Sequence, residues 1–496
     1  MSGRRSRFLS AVVTGEAQRR TPWRVENGED RARLSYTPSV MLPSESTLRS
    51  AAPSVGADDV ARITEQAIVL AGGTLVELHP PRLGQADVVL RGSQIAQVGG
   101  AIPDNIPRVD VSDCIVTPAL VVAHTHLYMA LACGMPPPAS PPRTLTDHLQ
   151  WVWWPLDKAL DDDLVHTCAL VGAASAAKAG AACVVDLHSS PRAIDGSLDR
   201  VEAALDEVGL RGVLAYETSD REGRARREAA LKENRRFLRK VRSGGSQHRA
   251  LVGAHAMMSL NDDTLDALRD LSDEFGVGMH LHVAEDATDA VDAQRNKRTR
   301  LEQRLDRLGV ARPGSIVAQA NELAHDVIQQ LERTGAFVAT NPRSNMRHGL
   351  GLFPGTGSHV ALGTDGVDGD ILAEARAYAL RHDEARDGLA RETGARISTG
   401  QVLAGRLFAD PAPPRIAAGA RADLAILDYN PLTPMNPANV IEHVIRGWTS
   451  SHVRHTIVGG RFVVRDHMLV NVDERALVGR SRPAASRLWE RMQGYF

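Results

Sequence analysis

The sequence predicts an α/β protein: a (β/α)8 TIM-type barrel with a discontinuous β-sandwich domain built from both ends of the chain. Three observations carry that prediction. Between Thr117 and Gly405, eight short apolar runs alternate with helical patterns at roughly 30-residue intervals. Glycine-punctuated, β-branched stretches flank this region on both sides. The chain, at 496 residues, is long enough for a barrel plus an appendage.

Taken in order, residues 1–60 are rich in Arg, Ser, Pro and Glu without apolar period, and read as a disordered extension. Residues 61–117 hold the first part of the sandwich, with short antiparallel strands in AIVLAGGTLVEL and ADVVLRGSQIAQVGG. Residues 118–405 form the barrel. Its strands are expected at 119–124, 182–187, 212–217, 251–256, 277–284, 315–320, 336–340 and 360–365, separated by helices such as NDDTLDALRDLSDEF. A doubly wound open sheet is the competing architecture, but no GxGxxG follows a first strand. Residues 406–475 supply the rest of the sandwich, through ADLAILDYNP and VRHTIVGGRFVVRDHML, and 476–496 a C-terminal helix.

Composition narrows the function. Hydrophobic residues are 43% and charged residues 24%, and 58 Lys and Arg against 60 Asp and Glu leave a net charge of −2. Such a balance offers no field for nucleic acid or an anionic membrane, and no apolar run approaches the ~20 residues of a membrane span. Cys114, Cys133, Cys168 and Cys183 lie far apart, neither a zinc knuckle nor a disulfide ladder, which suits a reducing compartment. The apolar stretch Phe8–Thr14 is short and broken by Ser10, so the expected location is cytoplasmic, not secreted. The expected partner is a small-molecule substrate.

In a barrel of this kind the chemistry sits at the C-terminal ends of the strands. The first run ends in His124-Thr125-His126, whose i and i+2 spacing lets both imidazoles face one point. The fifth holds His280 and His282 with Glu285 just beyond, and the eighth ends in Gly363-Thr364-Asp365-Gly366. Two histidines, a third and an aspartate from three strand ends form a nitrogen and oxygen set suited to zinc or ferrous iron. Each piece alone has a plainer reading, as satisfied polar residues or a turn; their order along the chain favours a metal site.

Specific motifs strengthen this. The run TPALVVAHTHLYMALACGM resembles the opening motif of the amidohydrolase superfamily, and HLHVAE, NPRSNM and LGTDG resemble later motifs of its cytosine deaminase, guanine deaminase and triazine hydrolase branch. The segments GARADLAILD and IVGGRFVVRD are similar to that branch's closing β-sandwich, so the resemblance runs in order from about residue 65 to 475. WWPLDKALD, DLHSSPRAIDGSLD and YETSDREG further resemble a little-characterised group of aminohydrolases and chlorohydrolases. The resemblance implies one divalent ion, zinc ahead of ferrous iron, held by His124, His126, His282 and Asp365. It implies that Glu285 shuttles protons, that Asp365 also orients the attacking water, and that His255 contacts the substrate and donates to developing negative charge. By the same analogy the protein is expected to be a homodimer.

Two departures stand out. Relatives carry a histidine at the end of the sixth strand where this chain has Gln319, and another where it has Thr340. Gln319 can bind substrate by hydrogen bonds but carries no proton at neutral pH. His325, six residues on, is expected to point away from the site. A two-metal centre is disfavoured. His188, at the second strand's end, reads either as a substrate contact or a loop histidine, and Trp151, Trp153 and Trp154 as a stacking wall, with Trp154 the substrate contact, or as loop packing. Arg343 and Asn345 read as a loop brace or an anion contact. Glu217, Asp220 and Arg221 read as a local ion-pair cluster, and Arg224–Arg242 as a solvated helix face.

The function this implies is a metal-dependent hydrolase that attacks a carbon–nitrogen bond, with hydrolytic deamination of a nitrogen heterocycle as the leading reaction. The alternatives are a catalytically altered barrel acting as a binding or regulatory subunit, and a hydrolase that removes another leaving group or opens a cyclic amide.

Overall fold

The computed structural model describes residues 67–355 and 357–495. The extension expected over residues 1–60 lies outside them. Eight parallel strands form where the apolar runs lie: β1 (Leu120–Thr125), β2 (Ala181–His188), β3 (Arg211–Tyr216), β4 (Val252–Ala256), β5 (Met279–Val283), β6 (Ile316–Gln319), β7 (Phe337–Thr340) and β8 (Val360–Leu362). Every residue in them is buried, which is why the sequence shows unbroken apolar runs and not alternation.

Strands β1–β3 pair in one sheet and β4–β8 in another. Backbone hydrogen bonds join the two at both edges. At one, Thr218 N donates to Gly253 O (3.2 Å) and His255 N to Thr218 O (2.9 Å); at the other, Thr364 N donates to His124 O (2.8 Å) and His126 N to Asp365 O (3.2 Å). The ring of strands is thereby closed. Val121 and Ala123 of β1, Val185 and Leu187 of β2, Val213 of β3 and Phe337 of β7 share one buried apolar cluster inside it.

The β3–β4 edge is clamped by Asn234, on the helix Arg224–Arg242. Its amide nitrogen donates to Tyr216 O (2.8 Å) and Gly253 O (3.3 Å), and its Oδ1 accepts from Tyr216 N (3.0 Å) and Gly253 N (3.2 Å). A Cβ at Gly253 would stand 2.2 Å from Tyr216 O, so only glycine permits this approach. The helix is thus not merely a solvated face: Asn234, Phe237 and Leu238 are buried under its charged surface.

The sandwich draws on both ends of the described chain. In one sheet Ile115–Pro118 pairs antiparallel with Leu424–Leu427, which continues to Val453–Val458 and Arg461–Arg465, while Thr74–Leu78 lies on the other side. A second sheet holds Gln94–Val98, Val88–Arg91, Ile68–Ala71 and Arg108–Asp110. The last helix, Glu474–Met492, begins two residues earlier than expected because Asp473 caps it, and it packs on Asp162–Lys178 through Lys178–Glu474 (2.7 Å). Among the described residues no helix is long and apolar enough to cross a membrane. All four cysteines are unpaired.

Candidate active site

The strand ends bring four side chains together. His124 and His126 leave the end of β1, His282 lies in β5, and Asp365 follows β8, with one donor atom from each inside a 4.8 Å span. Individual separations are 3.1 Å for His126 Nε2 to His282 Nε2, 3.0 Å for His126 Nε2 to Asp365 Oδ1, and 3.3 Å for His124 Nε2 to Asp365 Oδ1. Ligand atoms about 2.0–2.1 Å from a tetrahedral ion stand roughly 3.3 Å apart, so the cluster has the size of a zinc-type site.

The hydrogen bonds behind the rings settle their chemistry. His126 Nδ1 donates to Leu187 O (2.7 Å) and His282 Nδ1 to His255 O (2.9 Å), which leaves both Nε2 atoms as bare lone pairs facing each other. Two lone pairs at 3.1 Å repel unless a cation or proton lies between them. Burial pushes His282 to about 3 and His124 to about 4, so those rings are neutral. Burial also works against a charge on His126, yet Asp365 holds it at about 9: the site demands one positive charge. These residues fit a divalent ion. His280 stays out of the donor set; its Nε2 meets His124 Nδ1 at 2.8 Å and turns the other nitrogen of that ring toward the cluster.

Asp365 sits just beyond β8 with φ +50, a left-handed conformation costing about 1–2 kcal/mol in a non-glycine residue. Its carbonyl accepts from Thr125 Oγ1 (3.0 Å) and His126 N (3.2 Å), which holds it there. A Cβ at Gly363 would meet Asn341 Oδ1 at 2.3 Å and His124 Cβ at 2.8 Å, so the GTDG glycine permits the two strand ends to touch. Asp365 Oδ1 faces the histidines, while Oδ2 accepts from Ser344 Oγ (2.5 Å) and Gln319 Nε2 (3.2 Å). Burial raises its pKa, but His124 and His126 outweigh that and keep it ionised.

A cavity of about 350 Å³ opens over the cluster, lined by His126, His282 and Asp365 together with Glu285, His255, Glu217, Tyr128, Trp153, Trp154 and His348. Burial, then the charges of Asp365, Asp286 and Asp289, raise Glu285 well above the ordinary glutamate value, so it holds a proton to higher pH than an ordinary glutamate does. His348 stands 4.0 Å from it, with its Nε2 accepting from Trp153 Nε1 (3.3 Å), so its Nδ1–H is turned toward Glu285.

Of the residues expected from sequence, Trp154 and His255 line the cavity; Gln319 and His188 do not. Gln319, in left-handed backbone with φ +76, gives its amide to Asp365 and supports that carboxylate from behind. His188 is fully buried, donates to Ser190 Oγ (2.9 Å) and lies against Tyr216 and Tyr128; Tyr128 is the side chain that reaches the cavity. His325 is exposed, on the helix His325–Arg333. Arg343 braces its loop through Glu374 (2.8 Å) and Asp368 (2.5 Å), and Asn345 does so through Asn321 (3.0 Å). The expected ion-pair cluster is broken up: Arg221 binds Asp157, Asp220 accepts from Asn261 N (2.7 Å), and Glu217 is left facing the cavity. Sequence reasoning missed Glu217, His348 and Ser344 as cavity residues. For His348 and Ser344 the only available signal was their place just after β7.

The amidohydrolase family matches residues 115–402. The 5'-deoxyadenosine deaminase of Methanopyrus kandleri is 30% identical over 386 residues, 75% of this chain and 86% of that one. The 5-methylthioadenosine/S-adenosylhomocysteine deaminase of Thermococcus sibiricus is 26% identical over 80% of this chain and 94% of its own. Among solved structures, a zinc-bound adenosine deaminase from Xanthomonas campestris superposes with a TM-score of 0.73 at 21% identity, covering 86% of this chain and 99% of that chain. The atrazine chlorohydrolase of Arthrobacter aurescens complexed with zinc superposes with a TM-score of 0.69 at 18% identity, over 84% of this chain and all of that one (100%). The chain belongs to the amidohydrolase family. It is a metal-dependent hydrolase acting on carbon–nitrogen bonds other than peptide bonds.

Proposed function

We propose that this protein removes an exocyclic amine from a nitrogen heterocycle as ammonia, using a single zinc ion held by His124, His126, His282 and Asp365. The observation that carries the reading is a carboxyl with a raised pKa, Glu285, on the same cavity as a four-residue donor set of the size that holds a divalent ion. A divalent ion there supplies Lewis acidity, making water acidic enough to attack carbon at neutral pH.

The protein's own groups do the rest. Asp365, ionised and fixed through Oδ2 by Ser344 and Gln319, keeps its Oδ1 on the histidine side. Glu285 gives its proton to the ring nitrogen beside the attacked carbon, takes one from the water and passes it to the departing amine, and is reprotonated by the water's second proton as the carbonyl forms. The balance is one amidine-like C–NH2 and one water consumed, one C=O with a ring N–H and one ammonia formed. Gln319 replaces the proton-carrying histidine of relatives by a fixed amide, so proton traffic falls to Glu285. The named deaminase relatives support a purine-type substrate. The unpaired cysteines support a reducing, cytoplasmic setting.

Metal analysis and ammonia release in two variants test this. His282→Ala is expected to lose metal and turnover together. Glu285→Gln should keep the metal but lose ~10²–10⁴ in kcat. Full activity in either variant, or turnover by the metal-free protein, defeats the reading.

A further inference from the structure

The cavity that holds Glu285 also holds Glu217 and His255, which the deamination reading does not use; the donation expected of His255 from the sequence fails, because its N–H is taken by Ser259. Glu217 follows β3 and His255 lies in β4; their side chains are 3% and 6% exposed, and Glu217 Oε1 stands 3.8 Å from His255 Nε2. Both line the cavity. Among the described residues the Glu217 carboxylate accepts no hydrogen bond. The neighbouring Arg221 gives its Nη2 to Asp157 and Ser189, while its Nη1 has no hydrogen-bond partner among the described residues, and its guanidinium lies over Trp154 (5.3 Å).

His255 is an acceptor on the same side. Ser259 Oγ donates to Ala256 O (2.9 Å), so it receives Nδ1–H of His255 (2.8 Å), and the Nε2 facing Glu217 is a bare lone pair. Two acceptors 3.8 Å apart on the cavity wall, neither hydrogen-bonded to a donor among the described residues, mark a place where a ligand can bring N–H groups. A nitrogen about 3 Å from each fits between them. An amino group has one N–H for Glu217 and one for His255. A ring nitrogen or a carbonyl oxygen there would meet lone pairs.

We propose that Glu217 and His255 recognise a second amino group on the substrate, so that the preferred heterocycle carries an exocyclic amine beyond the one it loses. This rests on the deamination reading for which amine leaves, though not for which ligand binds. Burial pushes Glu217 up to about 7, and Arg221 and His126 act against that, so an arriving donor meets a carboxylate that ionises readily near neutral pH. The class includes diaminopurines and diaminotriazines and sets them above their mono-amino counterparts.

The test has a turnover arm and a binding arm, on the metal-loaded protein. Turnover compares 2,6-diaminopurine with adenine, and 2,4-diamino-1,3,5-triazine with the mono-amino triazine. Binding compares guanine with hypoxanthine by calorimetry. The expected result is a ~10–100-fold preference for the compound with the extra amine on at least one scaffold. Glu217→Leu should bring that ratio within about threefold of unity, because it removes the carboxylate acceptor and leaves the extra amine without that partner; metal content and melting temperature in the variant verify its fold. If the ratio is absent in both arms, or persists in Glu217→Leu, the inference is overturned. If both compounds are deaminated without preference, deamination stands and this inference falls. If guanine outbinds hypoxanthine, with the ratio lost in Glu217→Leu, but no amine is released, the inference stands and deamination falls.

Discussion

In the proposed reaction Glu285 delivers a proton at neutral pH, where an ordinary glutamate would already have lost it. Its burial and three neighbouring aspartates, Asp365, Asp286 and Asp289, raise its pKa, whereas Asp365 is held low by His124 and His126. Two carboxyls on one cavity are thereby divided into an acid and a base by their surroundings. The sign of the pH effect follows. Because the pKa of Glu285 is raised, its working proton is kept to higher pH than an ordinary glutamate's and leaves as pH rises. The pH profile of kcat/KM should therefore show an alkaline limb, and in Glu285→Gln that limb should vanish from the residual activity. An unchanged limb in the variant would assign it to another group.

At the scale of elements, the barrel's weakest point is the seam between β3 and β4, where the pairing passes from one sheet to the other. Asn234 replaces missing ladder hydrogen bonds there with four of its own, reaching across from the helix Arg224–Arg242. Asn234→Ala leaves the N–H and C=O of Tyr216 and the N–H of Gly253 without the clamp, while Gly253 O keeps Thr218 N, and should cost roughly 2–4 kcal/mol, seen as a lower melting temperature. Glu217 and His255 follow β3 and lie in β4, on either side of this seam, so the same variant should weaken ligand binding beyond its effect on stability. A stability loss within experimental error would mean that the seam holds without the clamp.

For the molecule as a whole, the barrel and the sandwich share one buried apolar cluster, and a group of polar contacts near the opposite end of the strands from the site ties them further. Arg211, at the start of β3, binds Asp423 (2.7 Å) and Asp410 (2.9 Å) and is largely buried. Ala119 N donates to Asp423 O (3.0 Å), which ties the start of β1 to the sandwich. Removing the arginine leaves Asp410 without its counter-charge and Asp423 with Arg421 alone (3.1 Å). Arg211→Ala should then cost about 3–5 kcal/mol and lower the unfolding temperature, while the metal content of the folded fraction stays unchanged. Simultaneous loss of metal would show that the sandwich also shapes the site.

What the amino-acid sequence determined alone is everything governed by short-range pattern. Buried parallel strands need continuous apolar residues, so the eight runs were visible as strands, and i, i+2 spacing made His124 and His126 a pair. Even there the ends moved: the eighth run was expected to reach 365, but β8 stops at Leu362 because Asp365 turns left-handed. What only the tertiary structure decided is which side chains meet across the barrel. No local pattern tells His280 from His282, yet one supports His124 from behind and the other faces the cluster. Gln319 and His188 sit at strand ends as the expected substrate contacts do, but Asp365 takes the amide of the first and Tyr128 reaches the cavity in place of the second. Glu217 looked like one member of an ion-pair cluster until Asp157, 64 residues from Arg221, claimed the arginine. Such outcomes depend on distances between chain segments far apart in sequence, which closure of the barrel sets and local pattern does not encode.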